Sequence, residues 1–178
     1  QNKKKTYIYY KFIHEMILQY LKKKKNKEQI IAIKQYKTII SESNIFLNNN
    51  DFFKEKDYKT SFEIVSIFLI MFIRINLLED NRNKYLKVND ALLSLFVSDL
   101  DESLRQKGIG DMSIGKYVKS YVKKFYFRIT KFPNDNNLHN NEAFIEYLKI
   151  TNLIKNDDYA NVSRKFNDKF EDFISSAN

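Results

Sequence analysis

The sequence predicts an all-α fold, a single helical-bundle domain of about six helices. Its 178 residues include only three Gly and one Pro, whereas a β-rich chain needs many residues that accept positive φ in tight turns. Hydrophobic residues make up 43% of the chain and recur at the three- and four-residue spacing of amphipathic helices. This length suits one domain. The sequence has no repeat period, so it does not predict a solenoid.

Two helices are predicted in the first forty residues. The first covers residues 7–25 and carries one apolar stripe that ends in the run Lys22–Lys25. A second, over residues 28–40, follows closely, and the sequence leaves open whether it continues the first. The pattern breaks at residues 48–51, and residues 51–59 are predicted to form a polar loop.

The next helix is predicted to begin at Thr60-Ser-Phe-Glu63, which has the pattern of a capping box. In that motif the Thr60 side chain accepts a hydrogen bond from the third backbone N–H, and the Glu63 side chain reaches back to the cap. The helix runs to about residue 79 and is apolar nearly all round, so we expect it to be the central helix of the bundle. Its longest apolar run, residues 64–73, is shorter than the roughly 20 residues that a membrane span needs.

The remaining helices are predicted over residues 89–107, 114–131, 141–155 and 158–176. In each, apolar residues at helical spacing are expected to face the core. These positions are Leu92, Leu95, Phe96, Leu100, Leu104, Val118, Tyr121, Val122, Phe125, Ile129, Phe144, Leu148, Phe166, Phe170 and Phe173.

The net charge of +9 is concentrated at the start of the chain. Residues 1–40 contain eleven Lys and two Glu, whereas the rest of the chain is neutral. We therefore predict a basic N-terminal helical arm at residues 1–40 and a helical domain at residues 41–178. Such an arm could bind RNA, an anionic membrane surface or an acidic partner. A solvated helix face explains the charge equally well.

All three glycines lie between Gly108 and Tyr117, and the spacing G-x-x-x-x-G-K from Gly110 resembles a phosphate-binding loop. A true loop of that kind leaves a strand and carries Ser or Thr after its Lys. Here the preceding sequence is helical, and Tyr117 takes the place of the hydroxyl residue. We therefore interpret the segment as a corner between two helices. Gly108 ends the first helix in the left-handed conformation, Gly110 allows a further turn, and Ser113 has the residue type of the next N-cap.

No pattern in the sequence demands enzyme chemistry, and we predict that the protein is not an enzyme. The chain has no Cys, which excludes a disulfide scaffold, a thiolate zinc site and a cysteine nucleophile. The acids Asp99, Asp101, Glu102 and Asp111 surround the corner, but no Glu-x-x-His motif accompanies them. Because Asp101 and Arg105 are spaced for a helical ion pair, a binding face or an ion-pair network is the better interpretation. No catalytic residue, metal site or cofactor is predicted.

Three motifs follow one another around this corner. D-x-D-x-S-L-R lies at Asp99, Asp101, Ser103, Leu104 and Arg105. G-x-G-D-(L/M)-S-(V/I)-x-K lies at Gly108, Gly110, Asp111, Met112, Ser113, Ile114 and Lys116. F-Y-x-R lies at Phe125, Tyr126 and Arg128. In order and spacing, these motifs resemble the hallmark of the ubiquinol–cytochrome c chaperone family.

A helix upstream of the corner is also similar to this family, through Phe62-Glu63-Ile64 and Arg74-Ile75. This helix departs from the family pattern at two positions. Ser61 stands where the family usually has Arg, and Phe68 stands where it usually has His.

The resemblance implies a non-catalytic assembly factor (a chaperone) for respiratory complex III. Its implied location is the mitochondrion, peripheral on the matrix side of the inner membrane. Implied partners are newly made cytochrome b, a small assembly-factor partner protein and the mitochondrial ribosome. The basic arm suits ribosomal RNA or the anionic surface of the inner membrane. The motifs imply a protein-binding surface formed by Asp99, Asp101, Ser103, Arg105, Gly108, Gly110, Asp111, Lys116, Lys119 and Arg128.

Two other functions remain open from the sequence. The chain is alternatively a divergent family member retained as a permanent accessory subunit of a mitochondrial respiratory complex or supercomplex. The departures at Ser61 and Phe68 are the changes expected if this surface were no longer needed for a chaperone function. The second alternative is a nucleic-acid-binding protein that uses the Lys-rich arm.

Overall fold

The computed structural model describes residues 26–78 and 82–177. This part of the chain forms six helices: α1 (Lys27–Asn49), α2 (Tyr58–Leu78), α3 (Arg82–Gln106), α4 (Asp111–Lys131), α5 (Glu142–Thr151) and α6 (Tyr159–Ala177). The predicted all-α fold is confirmed for these residues. The helix predicted over residues 7–25 lies outside them.

Helix α1 starts at a capping box and is part of the bundle. The Asn26 side chain accepts a hydrogen bond from the backbone of Gln29, whose side chain accepts one from the Asn26 backbone. The backbone of Asn26 is extended, so α1 begins at this cap. The predicted boundary between residues 40 and 41 falls inside α1, which has buried residues on both sides of it, such as Tyr36 and Phe46. Residues 27–40 therefore belong to the bundle rather than to a separate arm.

Helix α2 is the central helix, as predicted. It contacts α1, α3, α4 and α6, and its side chains are buried on every face. Its length and apolar composition would allow it to cross a membrane, but 67% of its most apolar window is buried inside the bundle. Such burial is what the core helix of a folded bundle shows.

The start of α2 differs from the prediction. The Asp57 carboxylate accepts hydrogen bonds from the Thr60 backbone N–H (2.8 Å) and the Thr60 hydroxyl (2.9 Å), so Asp57 rather than Thr60 caps the helix. Burial raises the pKa of Asp57, but these hydrogen bonds outweigh it and hold the pKa below its ordinary value. The predicted capping box is wrong because the Glu63 side chain is fully buried and faces α4.

The connection between α1 and α2, predicted as a polar loop, contains two buried aromatic side chains, Phe52 and Phe53. Backbone hydrogen bonds tie it to the segment between α5 and α6. The Lys54 N–H donates to the Leu153 carbonyl (2.8 Å), and the Lys155 N–H donates to the Phe52 carbonyl (2.9 Å). The loop is therefore fixed on the core.

Buried amides set the register of the first three helices. The Asn76 side chain of α2 exchanges hydrogen bonds with Gln35 of α1 (2.7 and 3.0 Å). It also donates to Asn89 of α3 (2.7 Å), which donates to the Ile73 carbonyl (3.2 Å). A buried amide is destabilising unless it is hydrogen-bonded. Sliding any of these helices would break these hydrogen bonds and lower the stability of the fold.

Helices α3 to α6 match their predicted inner faces. Helix α3 begins at Arg82, well before residue 89, and α5 ends where Asn152 takes the left-handed conformation (φ 54°). The fully buried predicted positions are Leu92, Leu95, Phe96, Leu100, Leu104, Phe125, Phe144, Leu148, Phe166, Phe170 and Phe173. Tyr121, Val122 and Ile129 are partly buried against the core, whereas Val118 is partly exposed and is not part of the core cluster.

Candidate interaction surface

The corner between α3 and α4 has the geometry of a Schellman motif. Gly108 has φ of +86°, its N–H donates to the Arg105 carbonyl (2.8 Å), and the Ile109 N–H donates to the Leu104 carbonyl (3.2 Å). The predicted left-handed glycine at the end of the helix is confirmed. With helices on both sides of the corner, the segment does not have the strand-to-helix context of a phosphate-binding loop.

Replacing Gly108 by Val is expected to lower the free energy of unfolding by about 2 kcal/mol or more, because left-handed backbone penalises residues with a Cβ and β-branched residues most. Gly115→Val is the matched control. Gly115 lies in exposed helix with open space around its missing Cβ, so its replacement should cost little. Urea unfolding measures both variants, and equal losses would contradict a special role for the backbone at Gly108.

Helix α4 begins earlier than predicted, at Asp111. Gly110 is its N-cap residue, and Ser113 lies within the first turn, where its hydroxyl bonds to the Gly110 carbonyl (3.2 Å). The prediction that Ser113 is the N-cap is therefore wrong. The first turn instead gains the carboxylate of Asp111, which is favourable at the positive end of the helix dipole.

Arg105 joins the two sides of the corner. Its Nε atom donates to Asp101 (2.7 Å), and its NH1 atom contacts Asp111. The hydrogen bonds to Asp101 and Asp111 raise the pKa of Arg105 above its ordinary value. Asp101 and Asp111 are thus engaged in an ion-pair network with Arg105. No group of metal-ligating side chains occurs in residues 26–78 and 82–177.

Arg128 lies inside the bundle rather than on a binding surface, which corrects its predicted role. It is 5% exposed and makes two hydrogen bonds to Glu63 of α2, from Nε to Oε2 and from NH2 to Oε1, both 2.8 Å. Lys124 adds a contact to Oε1 at 2.6 Å. Burial alone would lower the pKa of Arg128, but the bonds to Glu63 raise it above its ordinary value. The pair clamps α4 onto α2.

Ser103 is also buried, and its predicted role as a surface contact is likewise corrected. Its hydroxyl donates to the Leu100 carbonyl (3.2 Å) and accepts from the Tyr58 hydroxyl (3.0 Å). Burial raises the pKa of Tyr58 to about 12, so Tyr58 stays protonated and can donate. This bond joins the start of α2 to α3.

Asp99 is half-buried, and its Oδ2 atom accepts a hydrogen bond from the Tyr36 hydroxyl of α1 at 2.8 Å. Burial raises the pKa of Asp99 to about 6, against the opposing effect of the Tyr36 hydrogen bond and with a further increase from the charge of Glu102. Ionisation of Asp99 is therefore less favourable in the folded state than in the unfolded chain.

Asp99→Asn is expected to change how stability depends on pH. Because the folded state binds the Asp99 proton more tightly than the unfolded state, ionisation lowers stability as the pH rises from 3.8 to about 6. The variant should match the wild type near pH 3 and exceed it by up to about 3 kcal/mol at pH 7. Denaturant unfolding across this range measures the difference. A difference that does not vary with pH would contradict the assignment.

The outer side of α4 combines lysines with exposed apolar and aromatic residues. The α4 lysine–aromatic face consists of Met112, Lys116, Lys119, Lys123, Tyr126 and Phe127, all exposed. Their three- and four-residue spacing places them along one stripe. Residues 112–131 contain no Asp or Glu, so the face carries only positive charge.

The structure thus divides the ten predicted site residues into two groups. Those on or near the surface are Asp101, Arg105, Gly108, Gly110, Asp111, Lys116 and Lys119. Asp99, Ser103 and Arg128 reach inward and bond α3 and α4 to α1 and α2.

Sequence reasoning missed Glu63 as the partner of Arg128. Two signals could have found it. Glu63 is the only acid in the long apolar stretch of α2, and Arg128 falls three residues after Phe125 on the inner side of α4. Opposite charges on two core-facing stripes indicate a buried pair.

The structure defines an all-α helical-bundle protein whose motif residues divide between a charged corner and the bundle interior. Residues 51–148 match the family model described as "Ubiquinol-cytochrome C chaperone". Since the match covers more than half of the chain and includes the whole corner, the chain belongs to this family of chaperones. The resemblance drawn from the three motifs is confirmed. No curated protein and no solved structure matches the chain significantly.

The two departures from the family pattern differ in position. Phe68 is fully buried in the aromatic core, so this departure changes packing and not a surface. Ser61 is partly exposed near the start of α2 and binds the Asp57 carbonyl through its hydroxyl (2.9 Å). Only the change at Ser61 alters what a partner can contact.

Proposed function

We propose that the protein is a non-catalytic assembly factor for mitochondrial respiratory complex III that binds newly made cytochrome b. Membership of the chaperone family supports a client protein. The observation that carries the proposal further is the α4 lysine–aromatic face. This face lies within the residues that match the family model. It is on α4, the helix that follows the corner at Gly108.

The composition of this face suits a protein client. No ion pair joins Lys116, Lys119 or Lys123 to an acid among the described residues, so their charges are available to a partner. Positive charges of this kind steer the encounter with an acidic surface and favour the correct orientation. Tyr126 and Phe127 provide the rigid aromatic area that is enriched in protein interfaces.

Replacing Lys116, Lys119 and Lys123 together by Ala is expected to leave the fold intact and to weaken binding of newly made cytochrome b about tenfold or more, because the charge complementarity is lost. Co-purification of labelled cytochrome b measures binding, and circular dichroism measures folding. Lys116→Ala alone should show a smaller loss in the same direction.

The matched control replaces three exposed lysines on other helices, Lys34, Lys37 and Lys87, and so makes the same change in net charge. This control should bind cytochrome b as the wild type does. Equal loss in both triple variants would show that total charge, rather than the α4 face, governs binding. Unfolding of Lys116→Ala would contradict the surface role directly.

The further parts of the proposal concern location and other partners. We propose a peripheral position on the matrix side of the inner mitochondrial membrane and a complex with a small assembly-factor partner protein. The lysines of residues 1–25 are proposed to contact the mitochondrial ribosome or the anionic membrane surface. They lie outside the described residues, and a steep loss of ribosome binding with salt would support phosphate contacts.

The alternative, a permanent accessory subunit of a respiratory complex or supercomplex, is supported by the departure at Ser61. Native gels separate the two functions. Stoichiometric migration with mature complex III indicates a subunit, whereas presence only with unassembled cytochrome b indicates a chaperone. We expect the second result.

A further inference from the structure

A cleft of about 450 Å³ opens between α1, α2 and α3, away from the α4 lysine–aromatic face. Its apolar lining comes from Ile40 and Leu47 of α1, Phe62 and Val65 of α2, and Phe96 and Leu100 of α3. No residue of α4 lines it. This volume lies in the range of small-ligand sites and is enough for two or three side chains.

Two polar groups in the cleft lack a full set of partners. Ser43 of α1 is 4% exposed, and its hydroxyl has no hydrogen-bond partner within the described residues. Asp99 of α3 bonds to Tyr36 through Oδ2, and its Oδ1 atom makes no hydrogen bond to any described residue. The Asp99 oxygen without a partner lies beside the apolar lining, so the cleft has the chemistry to bind a cation next to an apolar group.

The free charge in the cleft is negative. Lys56 also lines it, but the Lys56 ammonium is engaged by the Asn48 carbonyl (3.0 Å) and by Asp51 (3.5 Å). Glu102, one turn from Asp99 on α3, adds negative charge close to it. By contrast, Tyr58 and Ser103 satisfy each other and make no demand on a ligand.

We propose that this cleft binds a short peptide segment of a partner protein, in which an apolar side chain is followed by Lys or Arg. The apolar side chain packs against Phe62, Val65 and Phe96. The cation bonds to the free oxygen of Asp99, where a charge-assisted hydrogen bond in partly buried surroundings is strong. The cleft shares no residue with the α4 face, so this proposal does not depend on the partner assigned to that face.

The test uses the full-length ¹⁵N-labelled chain and two synthetic peptides, acetyl-Ala-Phe-Lys-Ala-amide and the same peptide with Glu in place of Lys. We expect the Lys peptide to shift the amide resonances of Ser43, Ser61 and Asp99 and to bind about tenfold more tightly than the Glu peptide, as one charge-assisted hydrogen bond allows. Absence of shifts at these residues, or equal affinity for the two peptides, would overturn the proposal.

Two variants locate the effect. Asp99→Asn should abolish the preference for Lys, whereas Asp90→Asn, the same change at an exposed position of α3, should preserve it. Ser61→Arg places a cation at the cleft and should reduce binding of the Lys peptide. A preference that survives in Asp99→Asn would refute the assignment of the cation to Asp99.

Discussion

Replacing Arg128 by Met is expected to lower the free energy of unfolding by about 3–5 kcal/mol, because it leaves Glu63 ionised in the core without its main partner. The Glu63 side chain is 0% exposed and the Arg128 side chain is 6% exposed, and the two hydrogen bonds between them are both 2.8 Å. Lys124 keeps its contact to Glu63 at 2.6 Å, which favours the lower end of that range. Urea unfolding followed by circular dichroism measures the loss.

Two further variants identify the cause. The double variant Glu63→Leu with Arg128→Met should recover much of the lost stability, because an apolar pair replaces the buried charges. Arg105→Met removes two ion pairs at the surface and should cost much less than Arg128→Met. If Arg128→Met costs no more than Arg105→Met, the buried pair does not hold α4 on α2.

Replacing Phe68 by Ala is expected to cost about 3–5 kcal/mol, because the ring is fully buried and its removal leaves a cavity. The Phe68 ring packs against Phe46, Phe166 and Phe173, with ring centroids 5.5, 6.0 and 5.3 Å away. It therefore links α1, α2 and α6 through one aromatic cluster. The same denaturation experiment measures the effect.

The matched control is Phe127→Ala, the same change at an exposed ring of α4. Phe127 is 46% exposed, and its replacement should cost less than about 1 kcal/mol. Similar losses for the two variants would contradict the placement of Phe68 at the centre of the core. Phe68→His, which restores the residue type that the family resemblance indicates, should also destabilise the protein unless the buried imidazole finds a partner.

The inner faces of the helices could be predicted because apolar spacing reports directly which side of a helix faces the core. Helix boundaries were harder to predict, because several neighbouring residues can each have the residue type of a cap. Asp57 and Thr60 both have the residue type of a cap, and only the structure shows that Asp57 accepts the hydrogen bonds. The start of α3 at Arg82 precedes its first fully buried residue, Val88, so apolar spacing gave no signal for it.

The corner was predicted well because its conformation rests on one residue, Gly108, whose left-handed backbone strongly favours glycine. Which motif residues lie on the surface and which lie in the interior could not be predicted, because a sequence motif does not show which way each side chain points. Ser103 and Arg128 belong to the motif, yet their partners, Tyr58 and Glu63, lie on another helix. Contacts between distant parts of the chain decided their roles.

The proposed contact is that between the α4 lysine–aromatic face and newly made cytochrome b. It is tested most directly by placing a photo-crosslinking residue at Lys119, and at the exposed Asp168 of α6 as a control, in the full chain while cytochrome b is being synthesised in mitochondria. We predict a crosslink to newly made cytochrome b from position 119 and none from position 168. Crosslinks of equal yield from both positions, or none from position 119 while the protein still co-purifies with cytochrome b, would contradict the claim.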